Sequence, residues 1–305
     1  MKSNPKSNKY DLERIKIDLN LNTESKLIKI EHDQAMIAVV YKVLQKNKPD
    51  LILKICDKKI QYDNEVFFLK HFNKQIPCPT LINNVYYKDS GHGAVFMEYL
   101  PGTLLTPELI TKELAYEIGK NLAVIHNNKT DGFGYLTGGY KLKNTPETHF
   151  TEKFKESIEE CRGHLPEELI SKINNYYYNN VSLLNNIDGP CMIHRDFRPS
   201  NIIIDDNKLA GIIDWSSGRA SFAEDDFSSI EHGEWKDFNG NKNHFLDGYS
   251  SVKTIPDYKN ILPLLKLNKA MAIVGFIVKR RSHDTTDTKP YRFNRKIIDT
   301  FFKDI

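Results

Sequence analysis

Cysteine is scarce, with four in 305 residues (Cys56, Cys78, Cys161 and Cys191) and no Cys-x-x-Cys pair. That spacing argues against a disulfide framework and against a cysteine zinc site. Long apolar runs are missing too. The most apolar stretch, 270–278, is too short to cross a bilayer and runs into Lys279-Arg280-Arg281, read here as a solvated basic patch. Net charge is slight, +3 from 43 basic and 40 acidic residues, and it is dispersed, so no nucleic-acid partner is expected. Residues 1–9 are basic and polar with no apolar segment behind them. They read as a flexible tail and not as a secretory signal, and a reducing cytoplasm is the expected location. Hydrophobic content of 40% and charged content of 27% are globular values, and the length allows two lobes.

What the chain does have is concentrated between Cys191 and Trp215. Ile202 to Ile204 is a β-branched run, Asp205-Asp206-Asn207 signals a turn, and Leu209 to Ile213 is a second apolar run, so a β-hairpin is predicted. Folding it back brings Asn201, where the hairpin starts, close to Asp214, where it ends. Asp196 lies on the loop feeding the pair. Two carboxylates and an amide oxygen converging on one loop suit Mg²⁺, which takes hard oxygen ligands and completes its shell with phosphate and water.

Earlier in the chain, Leu27–Ile30 and Ile37–Val43 read as two strands around the polar turn 31–34, and Leu51–Cys56 as a third. Lys54 stands inside that third, otherwise apolar strand, where burial requires an anionic partner. Phe68, Leu69 and Phe72 mark one helical face after Glu65, which places Glu65 on the buried edge. A further hairpin, Val85–Lys88 with Ala94–Met97, runs into Glu98-Tyr99-Leu100-Pro101-Gly102.

His194-Arg195-Asp196, then Asn201, then Ile213-Asp214-Trp215 resemble the catalytic loop and metal aspartate of the kinase-like phosphotransferases, most closely their aminoglycoside phosphotransferase and choline kinase branch. The resemblance implies an α+β, bilobal protein-kinase-like fold. An N-terminal nucleotide-binding lobe would span 1–96, with an antiparallel sheet and one helix. A hinge at 97–102 would lead to a helical C-terminal lobe at 103–305 holding the catalytic loop and the acceptor site. In such a site Asp196 would accept or orient the acceptor hydroxyl, and Asn201 and Asp214 would hold Mg²⁺ against the phosphates of ATP or GTP. Lys54, held by Glu65, would contact those phosphates. The Glu98 carbonyl and the Leu100 N–H would bond the base, and Met97 would line the pocket behind it.

One departure stands out: residues 31–43 contain no glycine, whereas protein kinases cover the phosphates with a Gly-rich loop. Backbone amides at 33–36 would have to serve instead.

The second lobe reads as helical. Thr106-Pro107 looks like a helix start, Leu114, Ile118, Leu122 and Ile125 mark one helix face, and 150–161, 166–184, 261–278 and 292–305 are further helical segments. His126 is expected to be a core residue, and Tyr176-Tyr177-Tyr178 a packing feature. By the resemblance Asp226 braces the catalytic loop. Only eleven residues separate Asp214 from Asp226, too few for a protein-kinase activation segment, which points to a small-molecule acceptor. Arg195 would then make an ordinary salt bridge.

From 224 to 237 the chain carries six acidic residues against Lys236 alone. Glu224, Asp225, Glu231 and Glu234 are therefore candidate contacts for a cationic acceptor, with a solvated acidic face as the alternative reading. The expected activity is phosphorylation of a hydroxyl on a polar, cationic small molecule of the aminoglycoside type by a monomeric enzyme. Choline, homoserine or macrolide kinases are alternatives within the branch. An inactive kinase-like binding protein and a metal-dependent phosphohydrolase are alternatives outside it.

Overall fold

Leu51–Cys56 forms a strand with the bounds expected for it, and it is the middle strand of a five-stranded antiparallel sheet. The computed structural model describes residues 10–22, 24–31, 38–280 and 288–303. The tail 1–9 and the phosphate-covering amides at 33–36 lie outside the described residues.

The sheet is built from β1 (Lys26–Lys29), β2 (Ala38–Leu44), β3 (Leu51–Cys56), β4 (Leu81–Tyr87) and β5 (His92–Glu98), in the order β1-β2-β3-β5-β4. Helix α1 (Leu12–Asp18), unmarked in the sequence reading, is capped by Asp11, whose carboxylate accepts from the Arg14 N–H at 3.0 Å. With Tyr10, Leu19 and Leu21 it buries Ile15 against Val39, Tyr41 and Leu53 on one face of the sheet. Helix α2 (Lys59–Phe72) buries Phe68, Leu69 and Phe72 with Val95 and Met97 on the other.

The remainder is mostly helical. It comprises α3 (Lys112–His126), α4 (Pro146–Cys161), α5 (Glu167–Asn180), α6 (Ala223–Ile230), α7 (Lys242–Ser250), α8 (Leu262–Arg280) and α9 (Lys289–Thr300). Thr106-Pro107 opens only a single 3₁₀ turn, Pro107–Leu109, because Ile110 is extended. The true start of α3 is Thr111, whose hydroxyl accepts from the Leu114 N–H at 3.2 Å. Helices α3 and α7 cross backbone to backbone at two glycines. A Cβ on Gly119 would sit 1.9 Å from the Phe245 carbonyl oxygen, and one on Gly248 1.9 Å from that of Tyr116.

Three short pairings complete the fold. The predicted hairpin is β8 (Ile202–Asp205) with β9 (Lys208–Ile212), flanked by β6 (Thr103–Leu104). Its turn residues Asp206 and Asn207 both have positive φ, 48° and 57°, as a two-residue hairpin turn of the mirror-image type requires. Strand β7 (Cys191–Ile193) pairs with β10 (Arg219–Ser221). Leu100 packs over Gly211, so the segment leaving the sheet lies against the hairpin. No helix among the described residues is long and apolar enough to cross a membrane.

Candidate active site

Lys54 lies on the middle strand, opposite Val40 and Val95, and only 6% of it is exposed. Its ammonium group contacts Glu65 Oε2 and Asp214 Oδ1, each at 2.7 Å. Burial disfavours the lysine's charge, but the carboxylates of Asp214 and Glu65 more than reverse this, and its pKa is raised. Burial likewise opposes ionisation of Asp214, and Lys54 with the Ser216 hydroxyl, 2.7 Å from Oδ1, outweighs it and keeps the carboxyl low. Lys54 therefore bonds at once to the helix beside the sheet and to the end of the β8–β9 hairpin.

That helix is locked to the turn after Asp214. Asn64 Nδ2 donates to the Ser216 carbonyl at 3.1 Å, and Thr137 Oγ1 donates to Asn64 Oδ1 at 2.7 Å. Trp215 packs against both Phe68 and Phe72, with ring centroids 5.7 and 4.9 Å away. Asp214 itself has φ 64°, a left-handed conformation that turns the chain sharply out of the hairpin.

The loop from His194 to Asn201 is held from three sides. Asn201 Nδ2 donates to the backbone carbonyl and to Oδ2 of Asp196, both at 2.8 Å, and Arg198 Nε meets the same Oδ2 at 3.1 Å. The Ile213 N–H donates to the Asn201 carbonyl at 2.9 Å, and His194 Nε2 donates to the Ile213 carbonyl at 3.0 Å. Beneath the loop, Asp226 is fully buried and accepts from the backbone N–H groups of His194 (2.8 Å) and Arg195 (2.6 Å) and from His126 Nε2 (3.1 Å). The Tyr249 hydroxyl is 2.9 Å from His126 Nδ1 and completes the chain. Burial opposes ionisation of Asp226, but these donors lower its pKa overall.

The donor set suits a hard divalent cation. The amide nitrogen of Asn201 is engaged with Asp196, which directs its oxygen elsewhere, and Asp214 Oδ2 makes no hydrogen bond among the described residues. No cluster of three or more His, Cys, Asp or Glu side chains fit for a metal exists among the described residues. Two protein oxygens with phosphate and water are what Mg²⁺ takes at such sites.

A family model, that of the phosphotransferase enzyme family, matches residues 32–230. The chain belongs to this family. Solved structures of small-molecule kinases share its fold over nearly the whole length. A thermostable mutant of aminoglycoside phosphotransferase APH(4)-Ia, in ternary complex with AMP-PNP and hygromycin B, is 12% identical with a TM-score of 0.69 over 96% of this chain and 97% of that one. A microcompartment-associated aminopropanol kinase is 14% identical with a TM-score of 0.68 over 96% and 98%. No curated protein matches the sequence significantly. The phosphotransferase is thus an enzyme of a family whose structural neighbours bind nucleotide and small-molecule substrates.

In this phosphotransferase the expected hinge residues sit where β5 leaves the sheet. Met97 is buried, and Glu98 pairs with Thr80 through its backbone N–H (2.9 Å) and its carboxylate (3.1 Å). The four acidic candidates part company. Glu224 is buried and accepts twice from the Asp188 N–H, at 2.9 and 3.1 Å, which withdraws it from any acceptor-facing group. Helix α6 is enclosed nearly all round, so the first part of the acidic run is interior at Glu224 and Asp226, while Glu234 and Asp237 beyond the helix are exposed. Glu231 is neutralised by Lys242 at 2.6 Å and accepts from the Tyr258 hydroxyl. Asp225 and Glu234 make no ion pair among the described residues, and both act with Asp196 on the charge of Lys269. Arg195 makes no ion pair there either, contrary to the salt bridge expected of it. Arg219, Lys269 and His149 were missed by the sequence reading because each lies in a segment without a recognisable motif.

Burial pushes the Glu224 carboxyl up to about 7. Between about pH 4.5 and pH 7 the folded protein then binds more protons than the unfolded chain, so stability falls as pH rises and levels off above. Glu224→Gln should abolish that fall, which amounts to up to about 3 kcal/mol. Thermal unfolding of both proteins at pH 5 and pH 8 would show it, and parallel curves would refute the assignment.

Proposed function

We propose that this phosphotransferase transfers the γ-phosphoryl group of ATP or GTP to a hydroxyl of a small polar acceptor. The acceptor oxygen bonds to the γ-phosphorus, the bond from phosphorus to the bridging oxygen breaks, Asp196 takes the hydroxyl proton, and nucleoside diphosphate leaves. Phosphoryl transfer needs little covalent help from the protein, so positioning and charge do most of the work. Lys54 steers the phosphates, Glu65 fixes Lys54, and Arg198 and Asn201 aim Asp196. Asn201 and Asp214 would hold Mg²⁺, which when bound neutralises phosphate charge. Met97, Glu98 and Leu100 would receive the base.

The observation that carries this reading is the two-sided contact of Lys54 with Glu65 and Asp214, formed beside an Asp196 aimed by Asn201. The phosphohydrolase alternative has no use for a lysine so placed. The acceptor expected from the sequence is an aminoglycoside-type molecule, and the hygromycin B complex of APH(4)-Ia supports trying that class first. Of the four acidic candidates, Asp225 and Glu234 are the two without an ion pair or a buried backbone partner among the described residues.

Release of ADP and GDP across a library of hydroxylated amines, sugars and antibiotics tests the proposal. Asp214→Ala should weaken Mg-nucleotide binding by about tenfold or more, since it strips the buried Lys54 of one of its two carboxylate partners and removes a candidate metal ligand. Nucleotide-dependent thermal stabilisation without turnover of any acceptor would favour the inactive, ligand-binding alternative instead.

A further inference from the structure

Arg219 is a buried cation with no carboxylate in ion-pair contact among the described residues. It stands on β10 opposite Ile193, the last strand residue before the catalytic loop, and only 5% of it is exposed. It meets the Ser217 carbonyl, 3.4 Å from Nε, and Tyr135, which hydrogen-bonds to it and whose ring centroid lies 4.9 Å from the guanidinium carbon, and it feels the charge of Asp225 without an ion-pair contact. Arg195, adjacent to Asp196, is likewise unpaired there, and its backbone is left-handed at φ 67°, held so by Asp226.

The two arginines lie close enough to disfavour each other. Burial and the Arg195 charge together lower the Arg219 pKa to about 10. Burial, Arg219 and Arg195 also lower that of His149 to about 4, so its ring is neutral. That ring is 7% exposed and makes no hydrogen bond among the described residues. Of the nearby carboxylates, Glu152 pairs with Lys143 and Glu156 with Lys153, at 2.7 and 2.8 Å, and Asp225 accepts from the Ser221 hydroxyl at 3.3 Å and shares its charge between Arg219 and Lys269. Proteins bury charge without an internal partner where a ligand supplies one. A planar guanidinium pair beside a neutral imidazole donor is suited to a carboxylate or a phosphate.

We infer that the acceptor carries an anionic group, carboxylate or phosphate, which seats on Arg195 and Arg219 while its hydroxyl faces Asp196. The inference rests on the phosphotransfer reading and deepens it. It also redirects the acceptor search, because a purely cationic molecule would meet two unpaired arginines at the catalytic loop.

The test uses acceptor pairs that differ in charge: ribose with ribose 5-phosphate, and 3-aminopropanol with 4-hydroxybutyrate. Turnover of the anionic member should exceed that of its partner by about tenfold or more, the scale of a charge-assisted hydrogen bond. Arg219→Gln and Arg195→Gln should each raise the KM for that acceptor by a similar factor and leave the nucleotide KM in place. Arg219→Lys should recover part of the loss. If none of the four is a substrate, protein saturated with Mg-ADP is titrated with sulfate and with citrate. Saturable thermal stabilisation that disappears in the two glutamine variants supports the anion site, and Arg195→Gln, on a half-buried residue, covers the case in which Arg219→Gln fails to fold. Faster turnover of ribose or aminopropanol overturns the inference, as does anion stabilisation that is absent or the same in all variants. Failure of Mg-ADP itself to stabilise the wild type would count against the phosphotransfer reading, a separate result.

Discussion

Alanine in place of Asp196 should slow acceptor phosphorylation by about 10²–10⁴-fold, the share a positioned general base contributes, and leave the nucleotide KM nearly unchanged. The hydrogen-bond pattern supports this division of labour. Asp196 Oδ2 accepts from Asn201 Nδ2 and has Arg198 Nε in ion-pair contact, while Oδ1 makes no hydrogen bond among the described residues. One oxygen sets the orientation and the other is available to a hydroxyl. Asp196→Asn is the sharper variant, since it keeps the shape and loses the proton acceptor. Steady-state kinetics with varied nucleotide and varied acceptor would separate the two effects. Turnover that survives in both variants would remove Asp196 from the mechanism.

The second large effect is on stability. Asp226→Ala should destabilise the fold by about 3–5 kcal/mol, the range for removing one member of a buried charged network. Three donors, the N–H groups of His194 and Arg195 and the His126 ring, would lose their acceptor inside the protein. The melting temperature should fall by on the order of 10 °C. Catalysis should suffer as well, because Arg195 keeps its positive φ only while those bonds last. Asp226→Asn retains one carbonyl oxygen and should lie between wild type and alanine. Denaturant unfolding of the three proteins gives the order, and an alanine variant as stable as wild type would contradict the bracing role.

Much of this architecture could be read from sequence wherever a local rule had one solution. The hairpin was visible because two β-branched runs flank Asp-Asp-Asn, and the third strand because Leu51–Cys56 is apolar apart from one lysine. Other parts were decided by packing. Helix α7, Lys-Asn-His-Phe-Leu-Asp-Gly-Tyr-Ser, has weak intrinsic propensity, and its helical state depends on close contact with α3 at Gly119 and Gly248. Helix α1 is seven residues long and owes its place to the sheet face it covers. Glu224 misled because charge in sequence suggests water, whereas α6 is packed on nearly every side. Arg219 was invisible for a related reason: within Ser-Ser-Gly-Arg-Ala-Ser it looks like a loop residue, and only the pairing of β10 with β7 places it beside Arg195.

The catalytic hairpin also contains an irregularity of register. Ile203 faces Gly211 but Ile204 faces Leu209, so Ala210 is an extra residue on the returning strand. A bulge bends its strand and increases the local twist, so that single surplus position sets the direction in which the chain reaches Asp214. Deletion of Ala210 would leave the pairs Ile203–Gly211 and Ile202–Ile212 in place but straighten the strand, and so re-aim the chain as it reaches Asp214. Lengthening the Asp206-Asn207 tip by contrast would alter only the solvent-facing end. Length variation among homologues of this enzyme should therefore collect at the tip and avoid position 210.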